Sequence, residues 1–417
     1  MKVLSLFDGM ACGMIAMQFA GMEVESYDAY EIDKYAIKTA QHNFPMIKEH
    51  GDVFGADFTQ YEGVDFLIGG SPCTYWSIAQ TKNRETVASG MGWELFSQYV
   101  RALHEAKPKY FIYENNKSMS KDIRASIDEA FGFEAVLINS ALVSAQNRQR
   151  LYWVGKRNDD GTYSKVLVEQ PEDRGILLRD ILETGVCWRD KTYTMDANYY
   201  KGGNLTSLQK QSGHRLMVAE PVCLRYERTE EAKRCRKAYE AHEIKHGYNE
   251  LNELHPRPDG KTNTLTTVLK DNQIMEPVRG MGNDTKSRTL TANYWKTNVR
   301  DAFVDCAGGR TMIAEPINCT ADGKAQCLRA TCYKDGKEIT IYEVKDGQIT
   351  IKGKQYPIKL QDGYYIIRKL TVSECMRLQT VPEWYEFPVS DSQAYKMLGN
   401  GWTCDVIAHI LKSSKEA

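Results

Sequence analysis

The first 157 residues alternate short apolar runs with helically spaced stretches, and most apolar runs break into a polar or glycine-bearing turn. VLSLF at residues 3 to 7 reads as a strand, DGMACG as the turn after it, and Ile15, Met17 and Phe19 as one face of a helix. A second strand, Val24 to Tyr27, ends near Glu31; DKYAIKTAQHNF has helical spacing, and GDVF at 51 to 54 supplies a third acidic strand end at Asp52. Val64 to Ile68 is a buried strand that stops at Gly69-Gly70. The polar segment SIAQTKNRETVASGMG, with its late glycines Gly90 and Gly92, precedes a helix starting near Trp93 and reads either as a mobile loop able to close over a substrate or, more commonly for such a stretch, as an ordinary surface excursion. YFIYENN turns from apolar to polar at Glu114, and a strand over Ala135 to Ile138 leads into SALVSAQNRQRLYWVGKR. Strands alternating with helices predict an open α/β sheet, which carries its chemistry at the carboxyl ends of the strands.

Those strand ends hold the candidate chemistry. Two glycines and Pro72 let the chain leave the fourth strand sharply and present Cys73 in a tight turn. Asp8 and Gly9 follow the first strand, where a side-chain-free backbone and helix-start amides admit a cofactor. Glu31 is placed either to hydrogen-bond ribose hydroxyls or to stand as a solvated helix-start carboxylate. The GxxxxGK[ST] phosphate loop is absent and the GxGxxG spacing incomplete, which disfavours a nicotinamide cofactor. Gln146, Arg148 and Arg150 alternate, so an extended backbone sends all three side chains to one face.

At 417 residues the chain has room for more than one domain, and 42% hydrophobic with 26% charged residues is ordinary for a globular protein. No apolar run approaches the roughly 20 residues of a membrane span. The amino terminus lacks the apolar run and cleavage site of a signal peptide, so a cytoplasmic location is expected. Eleven cysteines without a regular framework fit reduced thiols. A net charge of -1 means that any nucleic-acid surface must be a local concentration of Lys and Arg.

In order along the chain, FDGMACG, GGSPCTYWS, ENN and QNRQR, then RKLTVSECMRLQTVPEWY and AYKMLGNGWTCDVIAHIL, resemble the motifs of the cytosine carbon-5 DNA methyltransferases. The SPC turn and the tryptophan of GNGW are closer to the animal de novo branch and related phage enzymes than to the GFPCQ type. The resemblance covers roughly residues 1 to 157 and 366 to 412, and the ordered set is far more specific than any one member. It implies an α/β, Rossmann-like S-adenosylmethionine-dependent fold with an inserted, β-rich target-recognition domain. Its catalytic domain would span residues 1–169, the recognition domain 170–365, and the segment returning to the catalytic domain 366–417. Cys73 would attack carbon 6 of a flipped cytosine, and Glu114 would engage ring nitrogen 3 and the exocyclic amine. Arg148 and Arg150, supported by Gln146, would hold the base carbonyl, a phosphate and the carboxylates. S-adenosylmethionine would sit over Phe7, Asp8, Gly9 and Gly13, with Glu31 on its ribose beside Ile32, and Asp52 on the adenine amine beside Val53. Ser71 and Pro72 would border it, with Asn400, Gly401, Trp402 and Thr403 near its methionine end. Asn116 departs from the pattern, since the family usually carries valine after Glu-Asn.

The resemblance also implies double-stranded DNA as partner, a bacterial or phage-infected host cell as the setting, a monomer on DNA, and a cognate restriction enzyme as an open functional partner. Methylation of RNA, transfer of a modified alkyl group, and a DNA-binding relative without turnover remain the alternatives. Between 170 and 365, KTYTMDANYYKGGN, KTNTLTTVLKDN, SRTLTANYWKTN and AQCLRATCYKDG are weak repeats of short strands and turns. Arg288, Lys296 and Lys201, interleaved with Tyr199, Tyr200, Tyr294 and Trp295, suit phosphate and base-edge contacts. Cys223, Cys235, His242 and His246 imitate a zinc set whose cysteine gap is wrong for a finger; a charged helix over 229 to 247 is the better reading, and no metal is expected. The run from 336 to 360 has Asp-Gly turns that predict a hairpin meander, and Thr371 with Glu374 predicts a capping box. The last helix, 403 to 412, is expected to pack back on the first domain.

Overall fold

The computed structural model describes residues 1–77, 84–185, 187, 190–201, 217–221, 223–228, 233–235, 252–256, 273–274, 341–351, 354–357 and 362–416. The chain divides into two compact units: residues 1–183, 189–217 and 369–417 form one, and 184–188 with 218–368 form the other.

The first unit is built on an eight-stranded sheet. Its strands are β1 (Lys2–Leu6), β2 (Ser26–Tyr30), β3 (Lys48–Glu49), β4 (Phe66–Gly69), β5 (Tyr110–Asn116), β6 (Val136–Asn139), β7 (Gln149–Arg157) and β8 (Tyr163–Lys165). They lie in the order β3-β2-β1-β4-β5-β7-β6, with β8 also paired to β7. The first five run parallel and β7 runs antiparallel between β5 and β6. That is the expected Rossmann-like methyltransferase arrangement: the chain reverses its strand order at β1/β4, leaving a crevice outside the carboxyl ends of both. Helices α1 (Cys12–Phe19), α2 (Lys34–Asn43), α3 (Met91–Ala106) and α4 (Lys121–Phe131) connect the strands, and α5 (Leu178–Ile181) follows β8.

Strand limits differ from the sequence reading where pairing, not composition, sets them. β2 begins two residues later than expected because its partner is β1, in a register that runs from Lys2↔Ser26 to Leu6↔Tyr30. Phe7, read as part of β1, leaves it with φ 59, a left-handed conformation that bends the chain into the Asp8-Gly9 turn. The Asp52 segment is not a full strand end: Asp52 caps a short 3₁₀ turn over Val53–Gly55.

Aromatic side chains fill the layer between β4, β5, β7, α3 and α4. Phe96, Tyr99, Phe111, Tyr113, Phe131 and Trp153 are all buried, and neighbouring rings such as Tyr99–Tyr113 lie 4.8 Å apart. Fully burying one such side chain stabilises the fold by about 1.5–3 kcal/mol. Glycine makes the room: opposite Phe111 on β7 stands Gly155, where a Cβ would come within 2.2 Å of the ring.

The carboxyl-terminal segment completes this unit with α6 (Val372–Leu378), α7 (Asp391–Asn400) and α8 (Cys404–Glu416). The predicted capping box forms: Thr371 Oγ1 accepts from Glu374 N–H at 3.1 Å, and Thr371 N–H donates to Glu374 at 2.7 Å. α8 packs on α1, so the core is built from both ends of the chain. Tyr385, the last residue of VPEWY, donates its hydroxyl to Met10 O at 2.6 Å.

In the second unit, β9 (Met217–Pro221), β13 (Ile341–Lys345), β14 (Gln348–Ile351), β15 (Lys354–Pro357) and β16 (Gly363–Lys369) form a sheet in the order β15-β14-β13-β16-β9. β10 (Cys223–Arg228), β11 (Asn252–Pro256) and β12 (Gln273–Ile274) form another. The Asp-Gly hairpin is present: Asp346 and Gly347 both take positive φ, 52° and 68°, as a two-residue turn between β13 and β14 requires. Three of the four repeats, Arg288, Tyr294, Trp295, Lys296, His242 and His246 lie outside the described residues, as does most of the 229–247 helix. Tyr199 and Tyr200, read together as base-contact candidates, part company. Tyr199 is buried with its hydroxyl accepting from Leu370 N–H, while Tyr200 is exposed beneath Lys201.

Candidate active site

Two strand ends meet at the centre of the first unit. β4 delivers Ser71, Pro72 and the 3₁₀ turn Cys73–Tyr75, and the adjacent β5 delivers Glu114. The glycines between them are not there for a turn conformation, since neither Gly69 nor Gly70 has positive φ. They are there for closeness: a Cβ on Gly69 would stand 2.5 Å from Leu6 O, and one on Gly70 would stand 2.8 Å from Glu114 O and 2.9 Å from its carboxylate. The sequence correctly marks the position of the break, but its cause is packing against the acid.

Cys73 is partly exposed. Glu114 is fully engaged: one carboxylate oxygen faces Arg150 Nε at 2.9 Å and the other accepts from the Trp402 indole N–H at 3.0 Å. Both members of the ion pair are mostly buried, 13% and 12% exposed. In such a place each charge needs the other, and removing one partner costs about 3–5 kcal/mol. Trp402, read as a cofactor residue, therefore also touches the acid.

Gln146, Arg148 and Arg150, expected on one face, do different things. Arg150 goes to Glu114. Arg148 is buried and donates to Met195 O at 3.0 Å, Gly399 O at 3.1 Å and Gly401 O at 2.7 Å. Burial, with Arg150 nearby, pushes its guanidinium down to about 10. Gln146 accepts from Met195 N–H at 2.8 Å and donates to Leu378 O at 3.3 Å. The pair thus clamps both sides of the Met195 residue and ties α6 and the Gly399–Gly401 turn to the sheet. These joints bring Trp402 to Glu114. Thr403 is likewise internal, bonded to Gln379 and Ser140 at 2.9 Å each. Asn400 is exposed at the end of α7.

Behind the nucleophile turn lies a buried polar cluster that sequence reading did not find. Ser71 Oγ meets Tyr113 OH at 2.6 Å, and Asn115 Nδ2 donates to Tyr113 OH at 3.1 Å. Asn115 Oδ1 accepts from both the main-chain and side-chain nitrogens of Asn116, and Asn116 Oδ1 accepts from Ser118 Oγ at 2.8 Å. Asn116, the departure from the family pattern, is therefore buried with its amide engaged within this cluster. The run of Asn, Asn and Ser after Glu114 was the available signal.

The other strand ends form an acidic edge. Glu31 knits two loops, accepting from Gly9 N–H at 2.9 Å and from Ile32 and Asp33 N–H at 2.8 Å each. Asp8 accepts from Ser5 and Tyr27 hydroxyls through one oxygen, while its other oxygen is buried with no partner among the described residues. Burial raises its pKa to about 6. Glu49, at the end of β3, has both oxygens buried with no partner among the described residues, and burial with Asp8 and Glu31 nearby raises its pKa to about 8. Around this edge the α-carbon of Gly9 faces open space, and the apolar side chains of Ile32 and Phe54 are exposed. Asp52 accepts from Phe54 N–H at 3.0 Å. Unsatisfied buried acceptors, an open glycine and exposed apolar flanks suit a ligand that combines positive charge and hydroxyl donors with an aromatic ring. S-adenosylmethionine has all of these. Three of the residues expected at the cofactor have structural surroundings of their own. Gly13 lets α1 approach Ile68 and Tyr27, where a Cβ would clash at 2.4 and 2.7 Å; Val53 is buried; and Ser71 belongs to the Tyr113 cluster. Pro72 is exposed at the head of the nucleophile turn.

The model of the C-5 cytosine-specific DNA methylase family matches residues 1–416. The chain belongs to that family. As a family member it is a DNA cytosine-5 methyltransferase, and the family's methyl donor is S-adenosylmethionine. Similar proteins include phage and bacterial methyltransferases. The methyltransferase is 27% identical to the orphan methyltransferase M.SPRI of Bacillus phage SPR, over 99% of this chain and 97% of that one. It is 26% identical to the type II methyltransferase M1.ScrFI of Lactococcus lactis subsp. cremoris, over 100% and 78%. Among solved structures, a DNMT2 of Spodoptera frugiperda aligns over 99% of both chains with a TM-score of 0.48 and 14% identity. No helix among the described residues is long and apolar enough to cross a membrane.

Proposed function

We propose that the methyltransferase works by covalent catalysis from Cys73, with Glu114 as its acid and the β1–β3 edge as its cofactor site. The observation that carries this reading is Glu114 held by both Arg150 and Trp402 on the strand next to the one that delivers Cys73. Carbon 5 of cytosine is a poor nucleophile within an aromatic ring. Addition of the Cys73 thiolate to carbon 6 makes carbon 5 enamine-like, and Glu114, through ring nitrogen 3 and the exocyclic amine, stabilises the charge as it develops. S-adenosylmethionine, when bound, supplies an electrophilic methyl group to carbon 5. Loss of the carbon-5 proton then expels Cys73. Arg150 fixes the acid's orientation, and Gln146 and Arg148 act from behind by holding the turn that carries Trp402.

On the cofactor side, Phe7, Asp8 and Gly9 would border the methionine and ribose portions, Glu31 and Ile32 the ribose, and Asp52 the adenine amine. Asn400 and Gly401 would close the methionine end. The open backbone at Gly9 and the unpartnered oxygens of Asp8 and Glu49 support this placement.

The substrate base must leave the duplex, at a cost of a few kcal/mol that DNA contacts offset. Residues 170–365 are proposed to supply those contacts as a target-recognition domain, between a catalytic part over 1–169 and a returning part over 366–417. The working unit is a monomer on double-stranded DNA. The orphan status in the phage relative's name favours a role without an obligate restriction partner. The deciding experiment is nucleoside mass spectrometry of unmodified duplex DNA incubated with the protein and S-adenosylmethionine. A 5-methylcytosine signal that disappears with Cys73→Ala is the expected result. A signal that persists in that variant overturns the mechanism, and RNA or a modified donor is tested in the same assay.

A further inference from the structure

The residues just beyond the nucleophile turn are bonded back onto it from two sides. Arg84 Nε donates to Trp76 O at 3.2 Å and its Nη2 to Ser118 O at 2.6 Å. Glu85 N–H donates to Tyr75 O at 2.9 Å. The Glu85 carboxylate accepts from the Trp76 indole at 3.1 Å through one oxygen and from Gly92 N–H, in the first turn of α3, at 3.3 Å through the other. Ser120 Oγ donates to Thr86 O at 2.5 Å. Trp76, which takes two of these contacts, is fully buried against Phe96. The two glycines of this segment leave the space that the carboxylate fills. A Cβ on Gly90 would stand 2.5 Å from Glu85, and one on Gly92 would stand 2.5 Å from the Trp76 indole and 2.6 Å from Glu85.

These contacts close a ring. Ser71, two residues before Cys73, bonds to Tyr113 on β5; Tyr113 bonds to Asn115, Asn115 to Asn116, and Asn116 to Ser118. Ser118 takes Arg84, and Arg84 with Glu85 returns to Tyr75 and Trp76, two and three residues after Cys73. Glu114 lies on β5 between Tyr113 and Asn115, two members of the ring. Neither Arg84 nor Glu85 belongs to the cofactor edge or touches Glu114.

We infer that Arg84 and Glu85 are positioning residues for methyl transfer, which hold the Cys73 turn in register with Glu114 by closing this ring. The inference rests on Cys73 being the nucleophile. It also gives Asn116 a purpose: its amide carries the ring from β5 to the carbonyl on which Arg84 docks. Misplacing a reacting group by about 1 Å can lower a rate on the order of 100-fold without disturbing binding.

The test uses the full-length enzyme with S-adenosylmethionine and duplex DNA made with 5-fluorocytosine in place of every cytosine. Fluorine on carbon 5 cannot leave as a proton does, so the thiol adduct accumulates and its single-turnover rate is read on a denaturing gel. Cofactor affinity is measured in parallel by calorimetry. Glu85→Ala is expected to slow adduct formation at least about 10-fold while cofactor affinity stays within about twofold of wild type. Glu85→Gln, which keeps a carbonyl acceptor, and Arg84→Lys, which keeps a donor, are expected to recover part of the rate. An adduct rate in Glu85→Ala within twofold of wild type overturns the inference. So does a parallel fall of rate, affinity and melting temperature, which marks a general fold defect. If Glu85→Ala does not fold, Glu85→Gln decides by the same two readouts. Absence of any adduct in the wild type, or its persistence in Cys73→Ala, overturns the nucleophile assignment and the inference with it.

Discussion

At Glu114 each carboxylate oxygen meets a donor, Arg150 on one side and Trp402 on the other. At the β1–β3 edge, Asp8 keeps one buried oxygen and Glu49 keeps both without a partner among the described residues. The two regions are carboxylates at strand ends of one sheet, and the sequence marks most of them alike. Their difference teaches how each is used. A group that must stabilise a developing charge works best when its surroundings are fixed beforehand, because little reorganisation then remains for the reaction step. Under the proposed function, the carboxyls of this edge are instead incomplete until the cofactor comes, and burial holds Asp8 and Glu49 toward their neutral forms meanwhile.

The sharpest break in that comparison is at the preassembled corner. Cys73→Ala is expected to lower methyl transfer by about 10⁴-fold or more while leaving cofactor affinity unchanged, measured by incorporation of labelled methyl groups and by calorimetry. A comparable loss of cofactor affinity would show that the two regions are not separable.

Next come the two arginines. Arg150→Ala strips Glu114 of its ion partner and is expected to cut the rate on the order of 100-fold, beside the stability cost of about 3–5 kcal/mol that an unpaired buried charge carries. Arg148→Ala removes the guanidinium bonds to three carbonyls and is expected to cost about 3 kcal/mol or more in urea unfolding. An equal loss of rate in the two variants, measured where both remain folded, would contradict the division of labour between them.

A third expectation concerns the unpartnered edge. Glu49 binds its proton more tightly in the folded chain than in the unfolded one, with a pKa raised from 4.5 to about 8. Its contribution is therefore fully present at low pH and is lost as pH rises through about 8. Asp8 adds the same sign of dependence between 3.8 and about 6. Glu49→Gln keeps the neutral shape, so its stability relative to wild type is expected to rise between about pH 5 and pH 8.5, seen as a flatter slope of melting temperature against pH. An unchanged slope would mean that Glu49 is not the buried acid it resembles. The smallest effect is expected at the rim: Asp52→Asn should weaken cofactor binding several-fold while shifting unfolding by about 0.5 kcal/mol or less, by calorimetry and urea titration.

What could be read in advance was governed by local rules. Alternating apolar runs and polar breaks located the strands, and the break after each run put Cys73, Glu114, Glu31 and Asp8 at carboxyl ends, because a strand's chemistry lies where its pairing stops. The capping box at Thr371 and the Asp346-Gly347 hairpin were legible for the same reason, since each needs only neighbours a few residues away. Identical local spacing, however, could not tell Arg148 from Arg150, nor show that Gly13 serves the packing of α1 against Ile68 and Tyr27. It could not assign Trp402 to Glu114, 288 residues away, or show that Asn116, Ser118, Arg84 and Glu85 bond in one circuit. The sequence by itself determined the family, the fold class and the strand-end positions of the candidate groups Cys73 and Glu114, because short-range backbone preferences and motif order encode them. Only the tertiary structure decided which buried charge meets which donor: that depends on the sheet's register and on the carboxyl-terminal helices returning to it, and a buried polar group takes whatever partner the packing brings within reach.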